Sequence, residues 1–281
     1  MNRHLLSALV ILFICGGSNA AEPGSPGGVP PGEKEAKDVL NKSPRHGEWV
    51  EIKVTGRDKP LKAWIVYPER KDKAPVVIVI QEIFGMTDWL RSVADQLAAD
   101  GFIAIAPDML SGHGPNGGGT DSFASRDDVT RAVFGLKRDE VTADVDAARE
   151  YGMKLPSSDG KTATIGFCWG GGQSFAYATA QPDLAAAVVY YGSPPVEQQL
   201  EKIKAPVAGF YGGNDNRITS TVKDTEKTMK RLNKSYTAHV YEGAGHGFLR
   251  AQDANEANKK AAEEAWPLTI EFLREHTKSA S

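Results

Sequence analysis

Short, unbroken runs of apolar residues alternate with longer amphipathic stretches along most of this chain. Six runs without polar alternation lie at residues 76–80, 102–106, 163–167, 185–191, 207–211 and 237–241. Such runs are typical of strands buried on both faces, as in a parallel sheet that helices cover on each side. Helix-spaced apolar residues at 88–99, 138–154, 172–180, 220–232 and 255–275 predict the covering helices.

This alternation predicts one α/β domain over residues 47–277, with a mostly parallel, doubly wound sheet and helices on both faces. The start of the domain differs from the rest. An alternating segment at 49–54 and an apolar run at 61–67 predict two antiparallel strands joined by a turn at 55–58. In doubly wound sheets the active residues lie at the carboxyl ends of the strands, so these loops are the place to search for a site.

The residues before the domain have a composition of their own. Arg3 and His4 precede an apolar run at 5–15, and small residues follow up to Ala20, the order of a secretory signal peptide. We therefore expect residues 1–20 to be removed and the protein to be exported, to the periplasm or the extracellular space. The apolar run is too short to span a bilayer, so no stable membrane insertion is expected afterwards. Residues 21–46 are rich in Gly and Pro without apolar periodicity, which predicts a flexible tether.

Composition and charge limit the kinds of ligand and macromolecule that the protein is expected to bind. A net charge of −3 gives no electrostatic reason to bind nucleic acid, so a small-molecule substrate and a monomer or small homo-oligomer are expected. Neither a His-x-x-x-His nor a Cys-x-x-Cys motif is present, and we expect neither a metal nor another cofactor. The glycine-rich segment at 109–131 lacks the phosphate-binding motifs and is predicted to be a long irregular lid or surface loop.

One cysteine stands in a turn suited to a nucleophile. Cys15 leaves with the signal peptide, and Ile14 before it is bulky where lipidation sites have a small residue, so Cys168 becomes the sole thiol. It is the centre of Gly166-Phe167-Cys168-Trp169-Gly170, between a predicted strand and a predicted helix. Gly-x-nucleophile-x-Gly is the pattern of a sharp turn that holds a side chain out above the sheet. The amino terminus of the helix is expected to favour a thiolate there. Glycine-rich turns also occur for packing alone. Whether this turn holds a nucleophile therefore depends on whether the chain also supplies an acid and a base to act with Cys168.

Those partners follow in the chain order that such a fold requires. Asp215 comes after the run that ends at residue 211, and His246 comes after the run that ends at 241. The order nucleophile, acid, base is that of triads on this type of sheet. His246 is expected to take the thiol proton and return it to the leaving group, while Asp215 holds the imidazole in place.

With these residues in place, the sequence resembles the dienelactone hydrolase (carboxymethylenebutenolidase) family of the α/β-hydrolase superfamily. Four segments match in order, namely 81–85, 166–171, 213–215 and 243–248. The resemblance implies the same triad of Cys168, Asp215 and His246. It adds Glu82, which in the family contacts the resting thiol and helps to deprotonate it.

The resemblance also implies the groups that would hold the substrate. The backbone N–H groups of Ile83 and Trp169 would form the oxyanion hole. Arg250, four residues after His246, matches a family arginine that binds the substrate carboxylate, and Arg131 or Arg126 is the candidate for a second one.

The prediction is therefore a cysteine hydrolase of an ester or lactone, with a small carboxylate-bearing substrate and an acyl-enzyme intermediate. Gly247 stands where the original bacterial enzyme has a substrate-contacting serine, and the glycine-rich loop is longer, so dienelactone itself is not predicted as the substrate. The alternative from another class is a non-catalytic ligand-binding protein on the same scaffold. A redox-responsive thiol is disfavoured because no resolving cysteine remains.

Overall fold

The computed structural model describes residues 21–278, and the signal peptide predicted for residues 1–20 lies outside them. Within this range, the strands of the sheet are β1 (Gly47–Ile52), β2 (Leu61–Val66), β3 (Ala74–Ile80), β4 (Ile103–Pro107), β5 (Ser158–Phe167), β6 (Ala186–Tyr190), β7 (Val207–Gly212) and β8 (Tyr236–Tyr241). Their order is β1-β2-β4-β3-β5-β6-β7-β8. β2 pairs antiparallel with β1 and β4, and the remaining neighbours are parallel. The predicted mostly parallel sheet with an antiparallel start is confirmed.

Helices cover both faces of this sheet. They are α1 (Ala36–Lys42), α2 (Asp88–Ala99), α3 (Arg126–Gly135), α4 (Arg138–Met153), α5 (Trp169–Ala180), α6 (Glu197–Leu200), α7 (Asn216–Thr219), α8 (Val222–Arg231) and α9 (Glu256–Thr277). Apolar residues of α1, α2 and α9 form the core on one face, and those of α4, α5 and α8 form the core on the other. β3, β4, β6 and β7 are buried along their whole length, which explains their unbroken apolar runs. Among residues 21–278, no helix is both long and apolar enough to cross a membrane.

The glycine-rich segment is more ordered than predicted. It contains two short 3₁₀ turns, Pro115–Gly117 and Thr120–Ser122, and runs into α3. The Asp108 carboxylate accepts hydrogen bonds from the backbone N–H and the hydroxyl of Thr120, at 2.8 and 2.7 Å. Ser125 caps α3 by accepting from the N–H of Asp128, and Val133 of this helix is fully buried. The prediction of an irregular loop up to residue 131 is therefore wrong at its carboxyl end.

The flexible tether predicted for residues 21–46 is also wrong, because this segment packs on the domain and forms α1. Buried polar residues of α2, and the residue directly after that helix, hold the segment in place. Gln96 accepts from the N–H of Gly24 at 2.7 Å, and Asp100 accepts from the N–H of Gly27 at 2.8 Å. Asp95 binds Arg45 through both carboxylate oxygens. We refer to residues 21–46 as the N-terminal cover.

Candidate active site

The turn between β5 and α5 holds Cys168 in a strained backbone conformation. Its φ and ψ angles are 55° and −116°, values that residues with a side chain seldom adopt. A turn of this shape, at the carboxyl end of a central strand, projects the thiol into the loops above the sheet. The side chain is partly buried and packs against the core on one face of the sheet.

Close backbone approach explains the glycines around the turn. A Cβ atom on Gly170 would lie 2.3 Å from the carbonyl oxygen of Gln81, at the end of β3, and 2.4 Å from that of Ile80. A Cβ atom on Gly166 would lie 1.9 Å from the carbonyl oxygen of Gly170. Gly172, two positions after Gly170 in α5, is different, because a Cβ there would be 3.4 Å from its nearest neighbour, an ordinary contact.

This difference gives a matched pair of variants. We expect Gly170→Ala to lower the free energy of unfolding by about 1–3 kcal/mol, because β3 or α5 must shift to admit the methyl group. Gly172→Ala should be neutral or slightly stabilising, by up to about 1 kcal/mol, since alanine favours the helix. Urea unfolding of both variants checks the pair, and equal effects would contradict the close packing of the turn.

The structure brings Cys168, His246 and Asp215 into one hydrogen-bonded array. His246 Nε2 lies 3.0 Å from Cys168 Sγ, and His246 Nδ1 lies 2.5 Å from Asp215 Oδ2. Asp215 is buried at the start of α7, after β7, and His246 follows β8. A proton on Nδ1 that is donated to Asp215 leaves the Nε2 lone pair free to accept the thiol proton. The arrangement can therefore move a proton away from sulfur.

The resting thiol is protonated at neutral pH. Burial, and to a smaller extent the nearby Glu82 charge, raise the pKa of Cys168 to about 11 against the opposing effect of the Trp169 N–H. The expected preference of the helix amino terminus for a thiolate is thus outweighed by desolvation. Formation of the thiolate then depends on the proton acceptor at 3.0 Å, His246.

Glu82 lies at the end of β3 and is buried beside the array. Its Oε2 atom accepts a hydrogen bond from Arg250 Nε at 2.6 Å, and no hydrogen bond among residues 21–278 joins it to Cys168. The carboxylate therefore pairs with Arg250, where the family resemblance implies a contact with the thiol. Burial raises the pKa of Glu82 to about 7 and outweighs the opposing effect of Arg250. Near neutral pH this carboxyl group can exist in either protonation state.

Ile83 and Trp169, the residues expected to supply the oxyanion hole, both line a cavity at Cys168 with a volume of about 490 Å³. Ile83 follows β3, and Trp169 is the first residue of α5. Within the described residues, the Ile83 N–H donates to no backbone or side-chain acceptor. A free N–H beside a nucleophile can stabilise negative charge on a carbonyl oxygen.

The arginines are arranged differently from the expectation. Arg131 lies on the outside of α3, paired with Asp128 in its own helix and with 71% of its side chain exposed, so its assignment to substrate binding is wrong. Arg126 is packed over the Phe84 ring, with Cζ 3.7 Å from the ring centroid. Arg250 lines the cavity as expected.

Among the cavity residues that sequence reasoning missed, three stand out for their charge or conformation. Arg217 lies two positions after Asp215, and Arg138 begins α4. The position of Arg217 beside the acid was a usable signal, whereas Arg138 reaches the cavity only through the packing of α4. Tyr191 has a φ angle of 41°, and its ring lies edge-on to that of His246 with 5.2 Å between centroids. Its buried hydroxyl has no hydrogen-bond partner within the described part of the chain.

Comparison with known proteins decides the family. Residues 61–277 match the model of the dienelactone hydrolase family. The chain belongs to this family. The carboxymethylenebutenolidase of a Pseudomonas species is 33% identical over 212 residues, which cover 73% of this chain and 86% of the relative. The fold is that of the α/β-hydrolases, and the chain is a dienelactone hydrolase-like enzyme that hydrolyses esters or lactones.

Solved structures of the family agree with this fold. The "putative dienelactone hydrolase" of Klebsiella pneumoniae superposes with a TM-score of 0.71 at 27% identity, covering 81% of this chain and 98% of its own. A dienelactone hydrolase-like promiscuous phosphotriesterase from metagenomic libraries superposes with a TM-score of 0.69 at 23% identity, covering 83% and 99%. The matched family region begins at residue 61, so the N-terminal cover lies ahead of it.

Proposed function

We propose that this family member hydrolyses its ester or lactone with Cys168 as the nucleophile, through an acyl-enzyme. The observation that carries the proposal is the array in which His246 lies 3.0 Å from the sulfur and 2.5 Å from Asp215. A binding protein has no chemical need for a nucleophile, a base and an acid in this order. The proposal includes export of the protein to the periplasm or the extracellular space.

In the first half of the reaction, His246 Nε2 takes the Cys168 proton and the sulfur bonds to the carbonyl carbon. The displaced electron pair rests on the carbonyl oxygen, beside the N–H groups of Ile83 and Trp169. When the carbon–oxygen double bond reforms, the bond to the alkoxide breaks and the alkoxide takes the proton from His246. The products are an alcohol and a thioester on Cys168; in a lactone the two remain one molecule.

In the second half, His246 takes a proton from water while the hydroxide portion bonds to the thioester carbon. Collapse of this intermediate breaks the carbon–sulfur bond and releases a carboxylic acid, and the thiolate recovers its proton from His246.

Glu82 is proposed to assist proton removal from Cys168 in the first half of the reaction. Its buried carboxyl group, with a pKa of about 7, is basic enough to do so near neutral pH.

The expectation of a carboxylate-bearing substrate rested on Arg250. Arg250 already donates from Nε to Glu82 and from Nη1 to Glu33, so two of its nitrogens are engaged. Arg217 lines the same cavity and forms no ion pair within residues 21–278. We therefore propose Arg217 as the side chain that would pair with a substrate carboxylate.

Trapping the acyl-enzyme tests the function. The protein, kept reduced, is mixed with a series of aryl esters and quenched in acid within the first turnovers. Intact mass spectrometry should show one added acyl group, and peptide mapping should place it on Cys168. An ester that leaves no adduct on Cys168 at any quench time, and that a Cys168→Ala variant still hydrolyses, would contradict the covalent route. Absence of both turnover and adduct across the series would favour a binding protein on this scaffold.

A further inference from the structure

The N-terminal cover places a carboxylate against the arginines beside the active site. Glu33 Oε2 lies 2.5 Å from Arg250 Nη1, and Glu33 Oε1 lies 2.9 Å from Arg126 Nη2. Both guanidinium groups also pack on the Phe84 ring, with Cζ at 3.7 Å for Arg126 and 5.0 Å for Arg250. Glu33 therefore sits between two cations that are spaced by an aromatic ring.

The backbone of the cover is fixed at this point independently of the Glu33 side chain. The Glu33 N–H donates to the carbonyl oxygen of Arg250 at 2.9 Å, and Gln252 donates to the carbonyl oxygen of Pro30 at 2.8 Å. Residues 28–32 are buried. The carboxylate is thus delivered by an ordered segment, and it is a feature of the chain that lies ahead of the region matching the family model.

Charge counting shows what this carboxylate does to the site. Arg126 and Arg250 carry two positive charges, and ionised Glu33 and Glu82 carry two negative ones, so the group is neutral when all four are ionised. A substrate carboxylate at Arg250 would add a third anion next to the buried Glu82. It would also compete with Glu33 for the same guanidinium nitrogen.

We propose that Glu33 is a specificity-determining residue that fills the carboxylate position at Arg126 and Arg250, so that the substrate presents an uncharged group to this wall. The inference rests on the proposed hydrolase function for its kinetic test. The lining of the cavity also includes apolar residues, which suit an uncharged group; they are Phe134, Trp169, Ala176, Pro194, Pro195 and Ile218.

The test uses pairs of esters that differ only in charge. In one pair the acyl chain ends in a carboxylate or in its methyl ester, as in the 4-nitrophenyl esters of adipic acid and of monomethyl adipate. In the other pair the phenol leaving group carries the carboxylate or its methyl ester. Glu33→Gln keeps the shape and the backbone contacts and removes the charge. Glu35→Gln is the matched control, because Glu35 is exposed on the same segment and makes no ion pair among the described residues.

We expect Glu33→Gln to raise the ratio of kcat/KM for the charged over the neutral ester by about tenfold in at least one pair, mainly through KM. Glu35→Gln should leave this ratio within about twofold of wild type, and Glu33→Asp, which keeps the charge, should stay closer to wild type than Glu33→Gln. An unchanged ratio in Glu33→Gln for both pairs would overturn the proposal.

A binding measurement separates this proposal from the proposed function. Calorimetric titration with adipate needs no turnover, and we expect about tenfold tighter binding to Glu33→Gln than to wild type. If no ester is hydrolysed but this difference appears, the hydrolase mechanism fails and the role of Glu33 stands. Equal adipate affinity for the two proteins would overturn the role of Glu33, whatever the activity.

Discussion

Replacing Cys168 with alanine is expected to lower kcat/KM for any ester substrate by at least about 10⁴-fold, because no covalent route remains. The oxyanion donors and the cavity persist in this variant, so substrate binding should survive while turnover is lost. The same order of loss is expected for His246→Ala, since burial holds the pKa of the thiol at about 11 and the proton then has no acceptor at 3.0 Å. Steady-state kinetics under reducing conditions, with a stopped assay for residual rates, measure both losses.

The double variant gives a sharper result than either single one. Because Cys168 and His246 act in the same step, Cys168→Ala combined with His246→Ala should be about as slow as each alone, not slower by the product. His239→Asn is the matched control for the histidine. His239 lies in β8, stacks on Phe210 of β7 and is not among the residues that line the cavity. A folded Cys168→Ala variant that kept more than about a tenth of wild-type activity would rule out Cys168 as the nucleophile.

The sheet was predictable because its central strands are buried on both faces. The predicted runs matched β3, β4, β6, β7 and β8 to within two residues, whereas β5 begins five residues before its run, and α2 was predicted at its observed bounds. Amphipathic spacing failed at α3, which begins inside a glycine-rich segment and buries only a narrow apolar face that includes Val129 and Val133. Short helices held by caps and local turns leave little periodicity to detect.

The array at Cys168 was predictable from chain order alone, since the fold fixes which strand ends meet above the sheet. The positions of the arginine side chains could not be predicted in this way. Arg126 and Arg131 lie in the same helix, and only their direction around its axis decides that one packs on Phe84 and the other faces solvent. The pairing of Glu82 with Arg250, in place of a contact with the thiol, likewise depends on side-chain packing.

The N-terminal cover escaped prediction for a different reason. Composition rich in glycine and proline usually indicates a flexible segment, because such a segment buries little apolar surface. Here polar groups hold it in place. Asp95 and Gln96 on the buried side of α2, and Asp100 directly after it, bind the cover through hydrogen bonds that apolar periodicity does not predict.

The ion pair between Arg45 and Asp95 therefore provides the second large expected effect. Both side chains are 4% exposed, with Arg45 Nε 3.1 Å and Nη2 2.5 Å from the Asp95 oxygens, and Ser43 donates to the same carboxylate at 2.6 Å. Asp95→Ala would leave a buried guanidinium without its partner, a change that typically costs about 3–5 kcal/mol. We expect a loss of this size in the free energy of urea unfolding.

Two further variants show whether the loss comes from the unpaired charge. Adding Arg45→Met to Asp95→Ala should recover part of the stability, because the double variant no longer buries a charge. Lys34 of the cover forms an exposed ion pair with Asp253 of the domain. Lys34→Ala, which removes this pair, should leave the free energy of unfolding unchanged within error. If Asp95→Ala unfolded like Lys34→Ala, the buried pair between Arg45 and Asp95 would contribute nothing measurable to the stability of the domain. The placement of Glu33 would not be affected, because its own N–H donates to the carbonyl oxygen of Arg250 and Gln252 donates to that of Pro30.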